Sequence, residues 1–296
     1  MPSITAKRPE GSDGLAVEAW GQGLMVGSLI VMIAVTVANM KMNVLLHKLI
    51  AAELILAIAH GTFIFIQLPT YGWYLSITAI GLNASWSLHN LIAWLKVRPF
   101  LRKKPWIGKI YLISLFAAQP YWIVEIYANF AFFNQGHMLF LRTRPLEPLF
   151  RDPWWIFTSC YLVRRIQLAY SRSWWGIVRD SPRFGAMIFF MALSICFTIV
   201  DTCAVSGTFH LNLHLGIEPF WKLAFVFKCL SDIIILDDFK SALDRVRRRI
   251  DPQDIELHST DAGGLPDRPL VQRPTPVLER SGWYFYDTRG RRGLDR

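Results

Sequence analysis

Seven apolar blocks, each near the length of a membrane-crossing helix, partition most of this chain and leave little room for another architecture. They run over 21–39, 44–66, 73–95, 110–133, 154–170, 184–205 and 220–236. At about 1.5 Å of rise per residue, most reach the roughly 30 Å hydrocarbon thickness of a bilayer. The fifth is short and contains Arg164 and Arg165, which makes it the weakest of the set. A composition of 53% hydrophobic and 18% charged residues also belongs to a membrane protein rather than a soluble one. The expected fold is an all-α integral membrane protein. It has an N-terminal tail over 1–20, a bundle of about seven transmembrane helices over 21–240, and a basic, largely disordered tail over 241–296.

Charge supports seven spans over six, because the loops after spans one, three and five and the C-terminal tail carry most of the Lys and Arg. Lys41, Lys48, Lys96, Arg98, Arg102, Lys103, Lys104, Lys109, Arg172, Arg179, Arg183, Lys240 and the basic stretch Arg245 to Arg249 fall on that side. The loops 67–72 and 206–219 carry none, and 134–153 sets Arg142, Arg144 and Arg151 against Glu147 and Asp152. The expectation is a lumenal N-terminus and a cytosolic C-terminus, in the endoplasmic reticulum membrane. The net charge of +10 sits in these membrane-flanking loops, so it points to topology and anionic lipid, not to nucleic acid. No cleavable signal peptide is evident. The four cysteines all fall within spans and read as small core residues. The loop 134–153, with Pro145, Pro148 and Pro153, is expected to be either an ordered cap or a mobile lid.

Polar residues that a bilayer should exclude mark where chemistry could lie. Glu125 stands inside the fourth apolar block, in PYWIVEIYANF, with Asn129 one turn on. Span two carries Glu53 and His60 on one face; span three carries Asn83, Trp86, His89 and Asn90; span six carries Asp201. A carboxyl kept protonated by apolar and aromatic surroundings is a Brønsted acid at neutral pH. The expected catalytic set is Glu125 as acid with Asp201 or Glu53 as partner base. His60, Asn83, Trp86, Trp122, Tyr127 and Asn129 are the expected substrate contacts. The plainer reading of Asn83, His89 and Asn90 is that they bond neighbouring helices, at about 0.6 kcal/mol each.

Lys228 and Asp232, and likewise Glu218 and Lys222, are spaced i, i+4 and read as local ion pairs. Lys228 in the last span has no counter-ion partner in span three of the kind retinal proteins use. Asp237 and Asp238 fall short of a metal-binding cluster, and the seven histidines show no ligand spacing. No metal or cofactor is expected. With 12 Trp, 20 Phe and 9 Tyr, the chain has more rings than membrane-interface belts require. Ring faces can each stabilise a passing cation by about 0.5–2 kcal/mol when desolvated.

Four segments, QPYWIVEIYANFAFFN (Gln119 to Asn134), LRTRPLEPLFRDPWWIFT (Leu141 to Thr158), SPRFG (Ser181 to Gly185) and FWKLAFVFKCLSDIIILDDFKSALDR (Phe220 to Arg245), carry a resemblance. They resemble the fungal membrane-bound terpene cyclases of meroterpenoid biosynthesis, of the ascochlorin and ascofuranone type. Related integral membrane proteins accompany indole-diterpene clusters. The resemblance covers most of residues 20–245 and neither tail. It implies secondary-metabolite chemistry without cofactor, in which the terminal epoxide of a prenylated, hydrophobic small molecule is protonated and rings close. The cation is then quenched by proton loss, hydride shift or an oxygen nucleophile. Neighbouring biosynthetic enzymes are the implied partners besides the bilayer. The rival class is a membrane transporter or scaffold of such a cluster. Pro120, a mid-span proline without a mate in another span, speaks against the inverted repeats of transporters.

Overall fold

The computed structural model describes residues 11–40, 42, 44–101, 104–170, 176, 178, 179, 182–208 and 219–234, and every regular element among them is helical. The tail 241–296, the acid pair Asp237 and Asp238, and Glu218 lie outside the described residues. The chain begins with α1 (Ser12–Ala38), whose first turns come before the apolar block that predicted it. Glu18, Gly21, Gln22, Met25, Leu29, Met32 and Thr36 recur at steps of three and four, so one stripe of α1 is buried. α2 (Leu45–Ile58) tightens into a 3-10 segment, Ala59–Phe65. α3 (Tyr71–Val97) is the central helix, packed against α2, the 3-10 segment, and the helices α5 (Gln119–Gln135) and α8 (Pro153–Tyr170).

The fourth apolar block is two helices. α4 (Pro105–Ala117) stops at a turn at Ala118, and α5 begins with Pro120 in its first turn. Proline has no N–H to give the preceding turn, so the helix cannot pass through this point unbroken. α5 ends at Gly136, whose φ of 76° is the left-handed region that glycine enters without a Cβ penalty.

The 134–153 segment folds into short helices. These are α6 (Leu139–Thr143), a 3-10 turn (Arg144–Leu146) and α7 (Glu147–Arg151), and Pro145, Pro148 and Pro153 each start one. Four of its five charges turn inward: Arg144, Glu147, Arg151 and Asp152 are buried, while Arg142 is exposed. α9 (Pro182–Val205) and α10 (220–234) complete the described bundle.

Four of the expected spans are long and apolar enough to cross a membrane: Ser12–Ala38, Leu45–Phe65, Pro105–Gln135 and Pro182–Val205. They leave large apolar side chains uncovered, among them Ile113, Phe116, Ile123, Phe189 and Ile199. α3 is 27 residues long, but its buried Asn83, His89, Asn90 and Lys96 lower its hydropathy. The described part of α10 is 15 residues, short of a full crossing. Average hydropathy identifies helices that face lipid, whereas a helix enclosed by its neighbours can be polar.

The α2–α3 crossing depends on a missing side chain. A Cβ on Gly81 would lie 2.8 Å from the Leu56 carbonyl oxygen, and backbone cannot yield as a flexible side chain would. Gly81→Ala should lower stability by about 1–3 kcal/mol, the usual effect of overpacking. Gly23→Ala, inside α1 where nothing lies within 4 Å, should raise stability by about 0.5–1 kcal/mol. Thermal unfolding in mild detergent, followed by tryptophan fluorescence, compares the two.

Candidate functional site

α3, α5, the 3-10 segment, α10 and the cap converge on one cavity of about 70 Å³. Its walls include His60, Asn83, Trp86, Glu125 and Asn129, five of the residues expected to serve chemistry, together with Trp221. Phe133, Phe140, Arg144 and Glu147 close the side formed by α5 and the cap. The convergence follows from helix periodicity. Asn83 and Trp86 lie three residues apart on α3, and Glu125 and Asn129 four apart on α5, so each pair shares a face.

Glu125 is 2% exposed, and neither of its oxygens has a hydrogen-bond partner among the described residues. The Tyr121 and Thr143 hydroxyls stand beside it, yet both protons are engaged elsewhere. Tyr121 donates to the Thr143 carbonyl at 2.9 Å, and Thr143 donates to the Phe140 carbonyl at 3.2 Å. The Asn129 side-chain oxygen is likewise buried and unpartnered. Buried polar atoms are bonded in the great majority of cases, so two orphans at one cavity make it the candidate site.

The cations around this cavity are neutralised. Arg144 pairs with Glu147 and lies 3.7 Å from Asp201. Arg151 Nη2 donates to Asp201 at 2.9 Å, its Nε donates to Asp152 at 3.0 Å, and Lys228 also pairs with Asp152. Burial alone would push the Asp152 carboxyl up, but Arg151 and Lys228 outweigh it and hold it below the ordinary carboxylate range. Lys222 donates to Glu18 at 3.0 Å, and Glu18 accepts from Gln22 at 2.6 Å. The Arg151 guanidinium lies 5.0 Å from the Trp86 ring centroid, and the Lys222 ammonium 4.9 Å from that of Trp221. Phe133 and Phe140 are cavity rings with no such cation among the described residues.

A second cluster lies apart from the cavity. His89 Nδ1 donates to Glu53 Oε1 at 2.7 Å, Cys229 Sγ donates to the same oxygen at 3.5 Å, and Asp232 pairs with Lys96. Glu53, His89 and Cys229 bring one ligand atom each within 4.8 Å of one another, the set among the described residues that could hold a metal ion. Glu53 thus accepts from both His89 and Cys229, while His89 Nε2 and Asp232 Oδ2 are buried without a hydrogen-bond partner among the described residues.

Several expectations need correction. Glu53 is not a wall of the cavity, because His89 and Cys229 hold it in the second cluster. Asp201 is 0% exposed and engaged by Arg151, so it acts as a counter-ion. Tyr127 is 64% exposed on the outer face of α5, two residues from Glu125 and therefore turned away from it. Trp122 packs behind Trp86, ring centroids 5.5 Å apart, instead of lining the cavity. Lys228 and Asp232 do not pair with each other; they pair with Asp152 and Lys96. Glu18, Lys96, Glu147, Asp152 and Lys222 were not singled out as site residues. The available signal was an acid and an amide at i, i+4 in α1, opposite in sign to a lysine in the last block.

Comparison of the chain with protein-family models, with curated proteins and with solved structures returns no match.

Proposed function

We propose that this chain is a seven-span enzyme of the endoplasmic reticulum membrane, with its N-terminus lumenal, that cyclises an epoxidised prenyl chain by acid catalysis. The observation that carries the reading is the Glu125 carboxyl, buried without a hydrogen-bond partner at an aromatic-walled cavity. No donor among the described residues is bonded to it to hold an ionised oxygen, which suits a group that must deliver a proton. The Glu125 O–H protonates the epoxide oxygen, a C–O bond opens to an alcohol, and a chain alkene closes a ring onto the electron-poor carbon. The migrating charge passes the Phe133 and Phe140 faces, and the Asn129 oxygen supplies a further negative dipole. The likeness to membrane-bound terpene cyclases supports the same chemistry.

At about 70 Å³ the cavity is smaller than the roughly 300–1,000 Å³ of typical small-molecule sites. A prenyl substrate therefore enters with displacement of α6, the 3-10 turn and α7, which supply Phe140, Arg144 and Glu147 to one wall.

The test is expression of the full chain in yeast microsomes supplied with an epoxyfarnesyl-phenol. Mass spectrometry should find an isomer of equal mass and new retention that empty microsomes do not make. Absence of the isomer across several head groups, with folded protein present, would move the reading to a transporter or scaffold. Because Tyr127 faces outward, Tyr127→Ala should leave the rate of isomer formation within about twofold of the parent, as expected of a surface change.

A further inference from the structure

Acid-initiated ring closure leaves a cation that must lose a proton, and the expected bases are already engaged. Asp201 is held by Arg151, and Glu53 by His89 and Cys229. Glu147, at the cavity wall, is paired with Arg144. Resting on the cyclase reading above, we propose that His60 is the catalytic base that receives this proton, through its Nε2.

The geometry assigns the tautomer. His60 Nδ1 lies 3.1 Å from Thr78 Oγ1. The Thr78 hydroxyl has one proton, which it directs to the backbone carbonyls of Tyr74 at 2.9 Å and Leu75 at 3.1 Å. The Thr78 oxygen can therefore only accept from His60, so Nδ1 carries the hydrogen and Nε2 carries the lone pair. The hydrogen bond that the His60 side chain makes among the described residues is through Nδ1, and His60 lines the cavity. The other basic side chain that lines that space among the described residues, Arg144, is paired with Glu147.

The ring is firmly placed. Trp221 packs on one side with centroids 6.1 Å apart, and Phe63 on another at 5.1 Å. The 3-10 segment beneath is tied to α1 by the Ile64 N–H, which donates to Gln22 Oε1 at 3.2 Å. Gly61 allows that approach, since a Cβ there would meet Met25 Cε at 3.0 Å.

The step balances. A C–H bond beside the final cation breaks, its electron pair forms an alkene, and the proton forms a bond to Nε2. Return of that proton to the Glu125 carboxylate across the shared cavity restores both groups, so the product is an isomer of the substrate and no oxidant or reductant is needed. Thr78 is a positioning residue that keeps the lone pair on the inner nitrogen.

Nitrogen-15 spectra of histidine-labelled protein in nanodiscs should show His60 with a protonated Nδ1 and a bare Nε2, shifting towards the other tautomer in Thr78→Val. The reverse tautomer in the parent protein would overturn the proposal whatever the substrate. In the microsome assay, His60→Gln should lower the parent isomer about 10²-fold. Substrate consumption should fall far less, diverted to other alkene isomers and to alcohols formed by addition of water. Deuterium at the carbon that loses the proton should change the product ratio in the parent and not in His60→Gln, a readout that a packing role would leave still. An unchanged product spectrum in folded His60→Gln overturns the base assignment and leaves the acid role of Glu125 standing. A parent protein that forms no isomer overturns both.

Discussion

Glu125→Gln should reduce isomer formation by roughly 10²–10⁴-fold, the range lost with a general acid, while leaving the protein folded and membrane-inserted. Glutamine matches the shape of glutamic acid but has no acidic proton. Because neither Glu125 oxygen takes part in a hydrogen bond among the described residues, the change breaks none of them. Loss of activity would thus report chemistry and not misfolding. Initial rates in microsomes, normalised to folded protein, make the measurement; a variant retaining more than about a tenth of the parent rate would remove Glu125 from the mechanism.

The largest effect on stability should come from Arg151→Met. The guanidinium donates to Asp152 and Asp201, both buried, and stacks over Trp86. Its backbone carbonyl accepts from the Asn90 side chain at 3.0 Å, joining the cap to α3. Removing the guanidinium leaves Asp201 with only the more distant Arg144. A buried charge stripped of its partner costs about 3–5 kcal/mol. Arg151→Met with Asp201→Asn should recover a large part of that loss, because the two positions act as a unit. Urea or thermal unfolding in mild detergent compares these two with Asp201→Asn alone, and a double-variant loss equal to the sum of the two single losses would show that the pair is not coupled.

This network also sets a sign for pH. The Asp152 carboxyl is held below its ordinary value, so its contribution is fully present above the ordinary carboxylate range. That contribution is lost as pH falls through the lowered folded value, and Arg151→Met should flatten this acid limb.

Five of the residues that line the cavity were legible from sequence for a local reason. A polar side chain inside an apolar block stands out by composition, and its helical phase follows from spacing. That reasoning found His60, Asn83, Trp86, Glu125 and Asn129. It failed for Tyr127, which lies two residues from Glu125 and so on the opposite, exposed face of α5. It failed again for Lys228 and Asp232, where an i, i+4 spacing permits a pair but does not choose one.

Length and apolarity are properties of short stretches of chain, so the sequence by itself determined the all-helical class and the apolar blocks, whereas the break of the 110–133 block before Pro120 and the short helices within 134–153 came from the structure, since a proline permits either a kink or a stop. Which charge meets which is a property of distance between elements far apart in the chain. Lys222 with Glu18, Lys228 with Asp152, Lys96 with Asp232 and Arg151 with Asp201 were decided by the tertiary structure. Every buried charge in the bundle demands a partner, and only the packing of the helices determines which partner is close enough. By engaging Asp201 with Arg151, and Glu53 with His89 and Cys229, the same packing left Glu125 and His60 as the cavity groups proposed to handle a proton.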